Sequence, residues 1–209
     1  MASLSGSVRR GRLSIPNVVF FACDVQERFR DIILQMPEVI FTGKLMMDSA
    51  AVLGVPVIVT EQYPKVFGST VAEFGVSEPR EGAVVSTFAK RKFSMMTPEV
   101  ATLFQTYREA GRSKAVLFGV EAHVCVQQTC LDLIDEGVEV HLLVDGISSQ
   151  RSIDRRTALS RMQQAGAVVT TSESALFDML GDSTAKDFKA ISGLVKARPA
   201  TGAWGGLEL

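Results

Sequence analysis

Short apolar runs alternate with longer stretches of helical periodicity along most of this chain. Val18 to Cys23 is an unbroken apolar run and reads as a fully buried strand. From Ile32 to Gly54 apolar residues recur at helical spacing in two pieces, with Pro37 restarting the pattern near Met36 and Glu38. Gly54 reads as the helix stop before a second strand, Pro56 to Thr60. Residues 61–82 are rich in Gly, Pro and polar side chains and predict a long loop with one short helix, a kind of segment that is often functional. Ala83 to Phe88 is the third predicted strand. Thr97-Pro98-Glu99 predicts a helix start, with Thr97 as cap and Pro98 in the first helical position; Gly111 ends that helix. Ala115 to Phe118 is a fourth strand, followed by a helix to Gly137 and a fifth strand, Val138 to Val144. A helix over Asp154 to Gly166 precedes a sixth strand, Ala167 to Thr170. Ser172 is expected to cap a further helix, and Lys186 to Ala197 forms the last.

Near-continuous apolar strands separated by helices indicate a parallel sheet covered on both faces. The expected fold class is therefore α/β: a three-layer α/β/α arrangement around a Rossmann-like sheet of about six strands. A chain of 209 residues fits one large domain with a substantial core, expected over residues 17–197. It is flanked by a flexible leader, 1–16, and a Gly-rich tail, 198–209, which carries the single tryptophan, Trp204.

Composition narrows the function. The formal net charge of −1 argues against a dedicated nucleic-acid binder, and no apolar run approaches the ~20 residues of a membrane span. Three cysteines, at 23, 125 and 130, fit a reducing compartment rather than a disulfide framework, so a cytoplasmic location is expected. The stretch from Met1 to Ala22 has no acidic residue but contains Arg9, Arg10, Arg12 and several serines, which leaves a mitochondrial targeting segment as the alternative.

In parallel sheets ligands bind outside the carboxyl ends of the strands. The polar residues at those ends are Asp24 after the first strand, Thr60-Glu61-Gln62 after the second, Lys90 after the third, Glu121 and Cys125 after the fourth, and Asp145 after the fifth. A thiol beside a carboxylate base and a cationic lysine is an activated nucleophile. Cys125 would sit in the first turn of a helix springing from a buried strand, where free N–H groups and the positive helix end stabilise a thiolate and could hold an oxyanion. Cys23 precedes Asp24 on a strand, so its side chain is expected on the opposite face, in the core. Lys92 and Arg91 read as solvated, His141 as a core or interface residue, and Asp145 as a cap of the loop leading to Asp154-Arg155-Arg156.

The chain resembles the isochorismatase-like cysteine hydrolases, a family that includes nicotinamidases and carbamoylsarcosine-type amidohydrolases. The resemblance runs from about Asn17 to Leu180 and looks closest to the branch called isochorismatase domain-containing proteins. It is carried by Phe21-Ala22-Cys23-Asp24-Val25-Gln26, Thr60-Glu61-Gln62-Tyr63-Pro64, Lys90-Arg91-Lys92-Phe93-Ser94-Met95, Gly119-Val120-Glu121-Ala122-His123-Val124-Cys125 and Val144-Asp145-Gly146-Ile147-Ser148-Ser149, in that order and after the appropriate strands. The resemblance implies that Asp24, Lys90 and Cys125 form a catalytic triad. It also implies a cis peptide just before Glu121 and an oxyanion hole built from backbone N–H groups at Glu121 and Cys125. It further implies a homo-oligomer, a dimer or tetramer, in which a neighbouring subunit covers the pocket; the 61–82 loop and the tail around Trp204 are the segments best able to do so.

Gln26, Phe29, Tyr63, Phe67 and His123 are the expected pocket walls for a small-molecule substrate. The Asp/His metal cluster that nicotinamidases carry after their second strand is missing: the segment reads Glu61-Gln62-Tyr63-Pro64-Lys65-Val66-Phe67-Gly68, and the only two histidines lie elsewhere. No metal and no cofactor are therefore expected, and no phosphate-binding glycine loop is present. The activity expected is hydrolysis of a small amide, imide or ureide through a Cys125 thioester. Vinyl-ether hydrolysis, or a binding or redox-sensing role for a reactive Cys125, are the alternatives.

Overall fold

A computed structural model describes residues 11–77 and 81–197. The expected N-terminal leader is described only from Gly11, and the C-terminal tail with Trp204 lies outside the described residues.

Six parallel strands form one sheet: β1 (Val18–Cys23), β2 (Val57–Gln62), β3 (Val85–Lys90), β4 (Lys114–Val120), β5 (Glu139–Ser148) and β6 (Val168–Thr170). Their order across the sheet is β3-β2-β1-β4-β5-β6. The chain builds outward from β1 to one edge and then returns to build outward from β4 to the other. A crevice therefore opens between the carboxyl ends of β1 and β4, where the connections diverge.

Helices α1 (Met36–Leu53), α2 (Pro64–Phe67), α3 (Pro98–Glu109), α4 (Gln127–Asp135), α5 (Ser152–Gln164), α6 (Ser172–Leu180) and α7 (Phe188–Lys196) complete the three-layer α/β/α fold. α1 packs with α6 and α7 on one side, and α4 packs with α5 on the other. Every residue of β1 and of β4 is buried, as unbroken apolar runs in a doubly covered sheet require. Phe21 of β1 meets Phe104 of α3 edge to face, with centroids 5.2 Å apart.

Several boundaries differ from the sequence reading for identifiable reasons. The first helical pattern resolves into turns over residues 27–35 and a single helix from Met36, because Gln35 adopts a left-handed conformation just before Pro37. β5 does not end at Val144 but continues to Ser148. Arg155 of α5, itself buried, donates from Nε to the Ile147 carbonyl at 2.8 Å and from Nη2 to that of Val144 at 2.5 Å, satisfying the strand's outer acceptors. Asp145 therefore lies inside the strand and caps no loop. Its carboxylate instead accepts from the Ser172 N–H at 2.9 Å and hydroxyl at 2.6 Å, tying β5 to the start of α6. The cap of α6 is accordingly Thr171, whose side chain accepts from the Ser174 N–H.

Residues 11–16, expected to belong to the leader, pack onto the domain. Leu13 is buried and its N–H donates to Asp178 at 2.6 Å, while Lys114 Nζ donates to the Arg12 carbonyl at 2.6 Å. Beneath this segment one oxygen of Glu139 accepts from Lys114 Nζ at 2.6 Å and lies 2.9 Å from His141 Nε2. Burial is the main influence on His141; it lowers the imidazole's pKa, although the carboxylate of Glu139 opposes it. A histidine that resists protonation when folded takes up its proton more readily when unfolded. Its contribution to stability is present above the unfolded value near 6.5 and is lost as pH falls through the lower folded value. The urea midpoint should therefore drop between pH 7.5 and 5.5, and His141→Gln should flatten that drop; equal slopes for both proteins would show that His141 does not carry it.

Candidate active site

Three backbone reversals shape the crevice. Asp24 directly follows β1 with φ 55°, Tyr63 follows β2 with φ 35°, and Glu121 follows β4 with φ 57°. Such left-handed positions are uncommon for residues other than glycine and cluster where a chain is forced to aim side chains. No cis peptide occurs among the described residues, so the reversal expected from a cis bond before Glu121 is made by the positive φ of Glu121 itself. After it, residues Ala122–Val126 form a π turn before α4 begins. Cys125 thus lies in a widened turn leading into the helix rather than in the first turn of a regular α-helix. Wide turns of this kind are frequent at functional sites.

Close packing holds β1 under this turn. Gly119 faces Cys23 across the β1–β4 pair, with φ 143°, and a Cβ placed there would lie 2.1 Å from the Cys23 carbonyl oxygen and 2.7 Å from the Cys23 Cβ. Only glycine admits that approach. Thr129 of α4 fixes the other side: its hydroxyl donates to the Cys125 carbonyl at 2.7 Å and accepts from the Met95 N–H at 2.8 Å.

Asp24, Lys90 and Cys125 converge here, all three buried. Lys90 Nζ lies 2.7 Å from Asp24 Oδ2, with both side chains almost wholly excluded from solvent. It also donates to Gln62 Oε1 at 2.7 Å and to the Phe93 carbonyl at 2.8 Å. Thr60 donates its hydroxyl to Asp24 Oδ1 at 2.8 Å. Burial acts to lower the pKa of the Lys90 ammonium, but Cys23, Asp24 and Cys125 facing it outweigh burial and raise it. Lys90 is the last residue of β3, two residues further along the strand than the apolar pattern indicated.

Cys23 is buried in the core, as expected, but its side chain does not face away from the site. Its Sγ lies 3.6 Å from Asp24 Oδ2, and the Cys125 thiol is among the neighbours that raise its pKa. Strand alternation presumes extended backbone on both residues, and the left-handed Asp24 breaks it. Sequence reasoning missed Cys23 as a site residue, and it noted Thr60 and Gln62 at a strand end without assigning them a role. The signal available for Thr60 and Gln62 was their place at the end of the second strand; for Cys23 there was only adjacency to Asp24.

The expected pocket walls divide. Gln26 is fully buried and its amide is consumed by the backbone: it accepts from the Gln62 N–H at 2.7 Å and donates to the Gln62 and Gly68 carbonyls. It pins the loop after β2. Phe29 is buried and stacks on Phe67, with centroids 5.0 Å apart. Tyr63 lies under the Arg91 guanidinium, 3.7 Å from its ring centroid, so Arg91 is not simply solvated. Those two residues help to line a cavity of about 300 Å³ beside Lys90. Lys92 pairs with Asp132 at 2.8 Å, as a solvated residue can. His123 is about one-third exposed, with Nδ1 3.1 Å from the Ser149 hydroxyl and 3.5 Å from Glu121 Oε2. Among the described residues no group of three His, Cys, Asp or Glu side chains is arranged to hold a metal ion.

The doubly wound sheet and the residues at its switch point agree with the comparisons. The Isochorismatase domain model matches residues 18–174. The secreted isochorismatase effector Isc1 of Phytophthora sojae (strain P6497) is 46% identical over 198 residues, covering 94% of this chain and 93% of that protein. Isochorismatase domain-containing protein 1 of Salmo salar is 45% identical over 187 residues, or 90% of this chain; the chain spans 64% of that relative's length. The structure of MAR1 ribonuclease from Caenorhabditis elegans matches with a TM-score of 0.82 and 39% identity, covering 91% of this chain and 96% of that one. The chain belongs to the isochorismatase family of hydrolases, in the branch of the isochorismatase domain-containing proteins.

The three thiols differ in environment. Burial pushes the Cys23 thiol well above its ordinary pKa and the Cys130 thiol up to about 12, and both residues are inaccessible, whereas Cys125 is 5% exposed beside Lys90. Iodoacetamide at pH 7 should label Cys125 first, because alkylation needs both access and a thiolate. Peptide mapping that finds Cys130 labelled first would contradict this.

Proposed function

We propose that this protein is a cofactor-free cysteine hydrolase acting on a small amide, imide or ureide. The observation that carries the reading is the buried ammonium of Lys90, held 2.7 Å from Asp24 and in electrostatic contact with Cys125. Removing two opposite charges from water costs several kcal/mol per ion before their attraction is counted. A pair kept at strand ends beside a thiol is better accounted for by chemistry than by stability.

Asp24 takes the thiol proton and later passes it to the leaving amine. Cys125 attacks the carbonyl carbon, and collapse of the tetrahedral intermediate leaves a thioester, which water then hydrolyses. Lys90 supplies positive charge next to both the carboxylate and the sulfur. Backbone N–H groups at Glu121 and Cys125 stabilise the oxyanion, at about 3 kcal/mol per donor. The stretch from Glu61 to Gly68, at the end of β2 and beyond it, where nicotinamidases carry metal ligands, offers one acid, Glu61. Its Oε1 is occupied by the N–H and hydroxyl of Thr70, at 2.7 and 2.9 Å, which supports a reaction without metal. His123 and the cavity bordered by Tyr63 and Arg91 would contact the rest of the substrate.

The name of the Caenorhabditis elegans relative raises ribonuclease activity as a second reading. Histidine-pair catalysis has no support in this chain, because His123 follows the carboxyl end of β4 while His141 lies near the amino end of β5. Vinyl-ether hydrolysis remains the alternative within the family, and it does not need the thiol.

Screening small amides for ammonia release identifies the substrate. On a substrate so found, Cys125→Ala should lower kcat/KM by at least about 10³-fold and leave stability within about 1 kcal/mol. Lys90→Met should abolish turnover and also cost roughly 3–5 kcal/mol in urea unfolding, because it strands a buried carboxylate. Full turnover in Cys125→Ala would exclude the thioester route.

We also infer a homo-oligomer. Ile32, Leu34, Val66 and Phe93 are all more than one-third exposed, and all lie in segments that follow the carboxyl ends of β1, β2 and β3. Apolar side chains around a pocket mouth are suited to cover by a second copy. Light scattering at micromolar concentration should give at least a dimer; a strictly monomeric species would overturn this.

A further inference from the structure

The hydrolytic reading leaves Cys23 without a role, although its Sγ lies 3.6 Å from the carboxylate of the proposed base and its thiol interacts electrostatically with the proposed nucleophile. Three features place it there. Cys23 ends β1 directly opposite Gly119 of β4, and the missing side chain of Gly119 lets the two strand ends approach closely. Cys125 follows Gly119 by six residues, within the π turn after β4. Asp24, next in the chain, turns its carboxylate to within 3.6 Å of the Cys23 sulfur. The two thiols also differ in access: Cys125 is 5% exposed, and Cys23 is fully enclosed.

We propose that Cys23 is a resolving cysteine, and that hydroperoxide oxidation of Cys125 closes a reversible Cys23–Cys125 disulfide. The Cys125 thiolate attacks the distal peroxide oxygen. An S–O bond forms, the O–O bond breaks, and water or an alcohol leaves, giving a sulfenic acid. Cys23 then attacks the Cys125 sulfur. The S–S bond forms, the S–O bond breaks, and a second water leaves with the proton that Cys23 releases through Asp24. Two thiols are oxidised by two electrons in all, and one hydroperoxide is reduced. Burial keeps the Cys23 thiol protonated until this step, so the oxidant meets Cys125 first. Cys130 takes no part: it is enclosed in α4, and burial alone, with no neighbouring thiol or charge, acts on its thiol. The disulfide removes the Cys125 nucleophile, shields it from irreversible sulfinic acid, and returns it on reduction by a thiol. The inference needs a reactive Cys125 but not the turnover of any amide.

The full chain, treated with hydrogen peroxide at pH 7.5, quenched with N-ethylmaleimide and denatured, is mapped by mass spectrometry without reduction. Two of the three thiols should be lost. The peptides containing Cys23 and Cys125 should appear linked and two hydrogens lighter, and dithiothreitol should restore both thiols. Cys23→Ser and Cys23→Ala should instead carry Cys125 to sulfinic acid at the same dose, with no recovery. If both variants misfold, the wild-type map decides alone. The proposal is overturned if wild-type Cys125 goes to sulfinic acid as readily as in the variants. It is equally overturned if the link involves Cys130 or joins two chains, or if Cys125 resists peroxide. No substrate enters this experiment, so failure of the hydrolase reading would show separately, as absent ammonia release with an intact Cys23–Cys125 link.

Discussion

The organisation of the carboxyl edge depends on one interaction, the buried pair of Lys90 and Asp24. Lys90 closes the edge strand β3, and Asp24 follows the central strand β1, with β2 between them. To hold an ammonium in that position the protein surrounds it with acceptors from three segments: Asp24, the Gln62 amide and the carbonyls of the loop after β3. To hold the carboxylate it adds the Thr60 hydroxyl. Removing either partner would leave an uncompensated charge in a dry environment, so the remaining features can be understood as ways to keep both in place.

Backbone strain is part of that arrangement. Four described residues other than glycine have positive φ, and three of them, Asp24, Tyr63 and Glu121, follow the carboxyl ends of β1, β2 and β4. Left-handed backbone at such residues costs on the order of 1 kcal/mol or more each. The rest of the domain contributes the stability that tolerates it, chiefly through two central strands buried along their whole length. The opposite end of the sheet is arranged for anchoring, with Lys114, Glu139 and His141 tied to the segment around Arg12. The two histidines therefore belong to different ends of the molecule.

Local chemistry made much of this readable from the chain. The unbroken apolar runs specify strands covered on both faces, Thr97-Pro98 specifies a helix start, and the order of elements specifies a parallel sheet. Since ligands gather at the carboxyl ends of such strands, the polar residues at those ends pointed to Asp24, Lys90 and Cys125, and the structure brings those three together. That inference needs only the direction of each strand.

The sequence by itself therefore determined the layers, the parallel sheet and the edge that carries the chemistry, because period and polarity are properties of neighbouring residues. The tertiary structure alone decided where side chains at element ends point. Cys23 turns into the site because the left-handed Asp24 interrupts strand alternation. Gln26 is turned onto the chain around Gln62 and Gly68 because the backbone there takes both ends of its amide. Asp145 sits inside β5 because Arg155, ten residues further on, satisfies carbonyls that would otherwise end the strand. In each case the deciding partner is distant in sequence or the backbone departs from its regular form, and neither is visible in a local pattern.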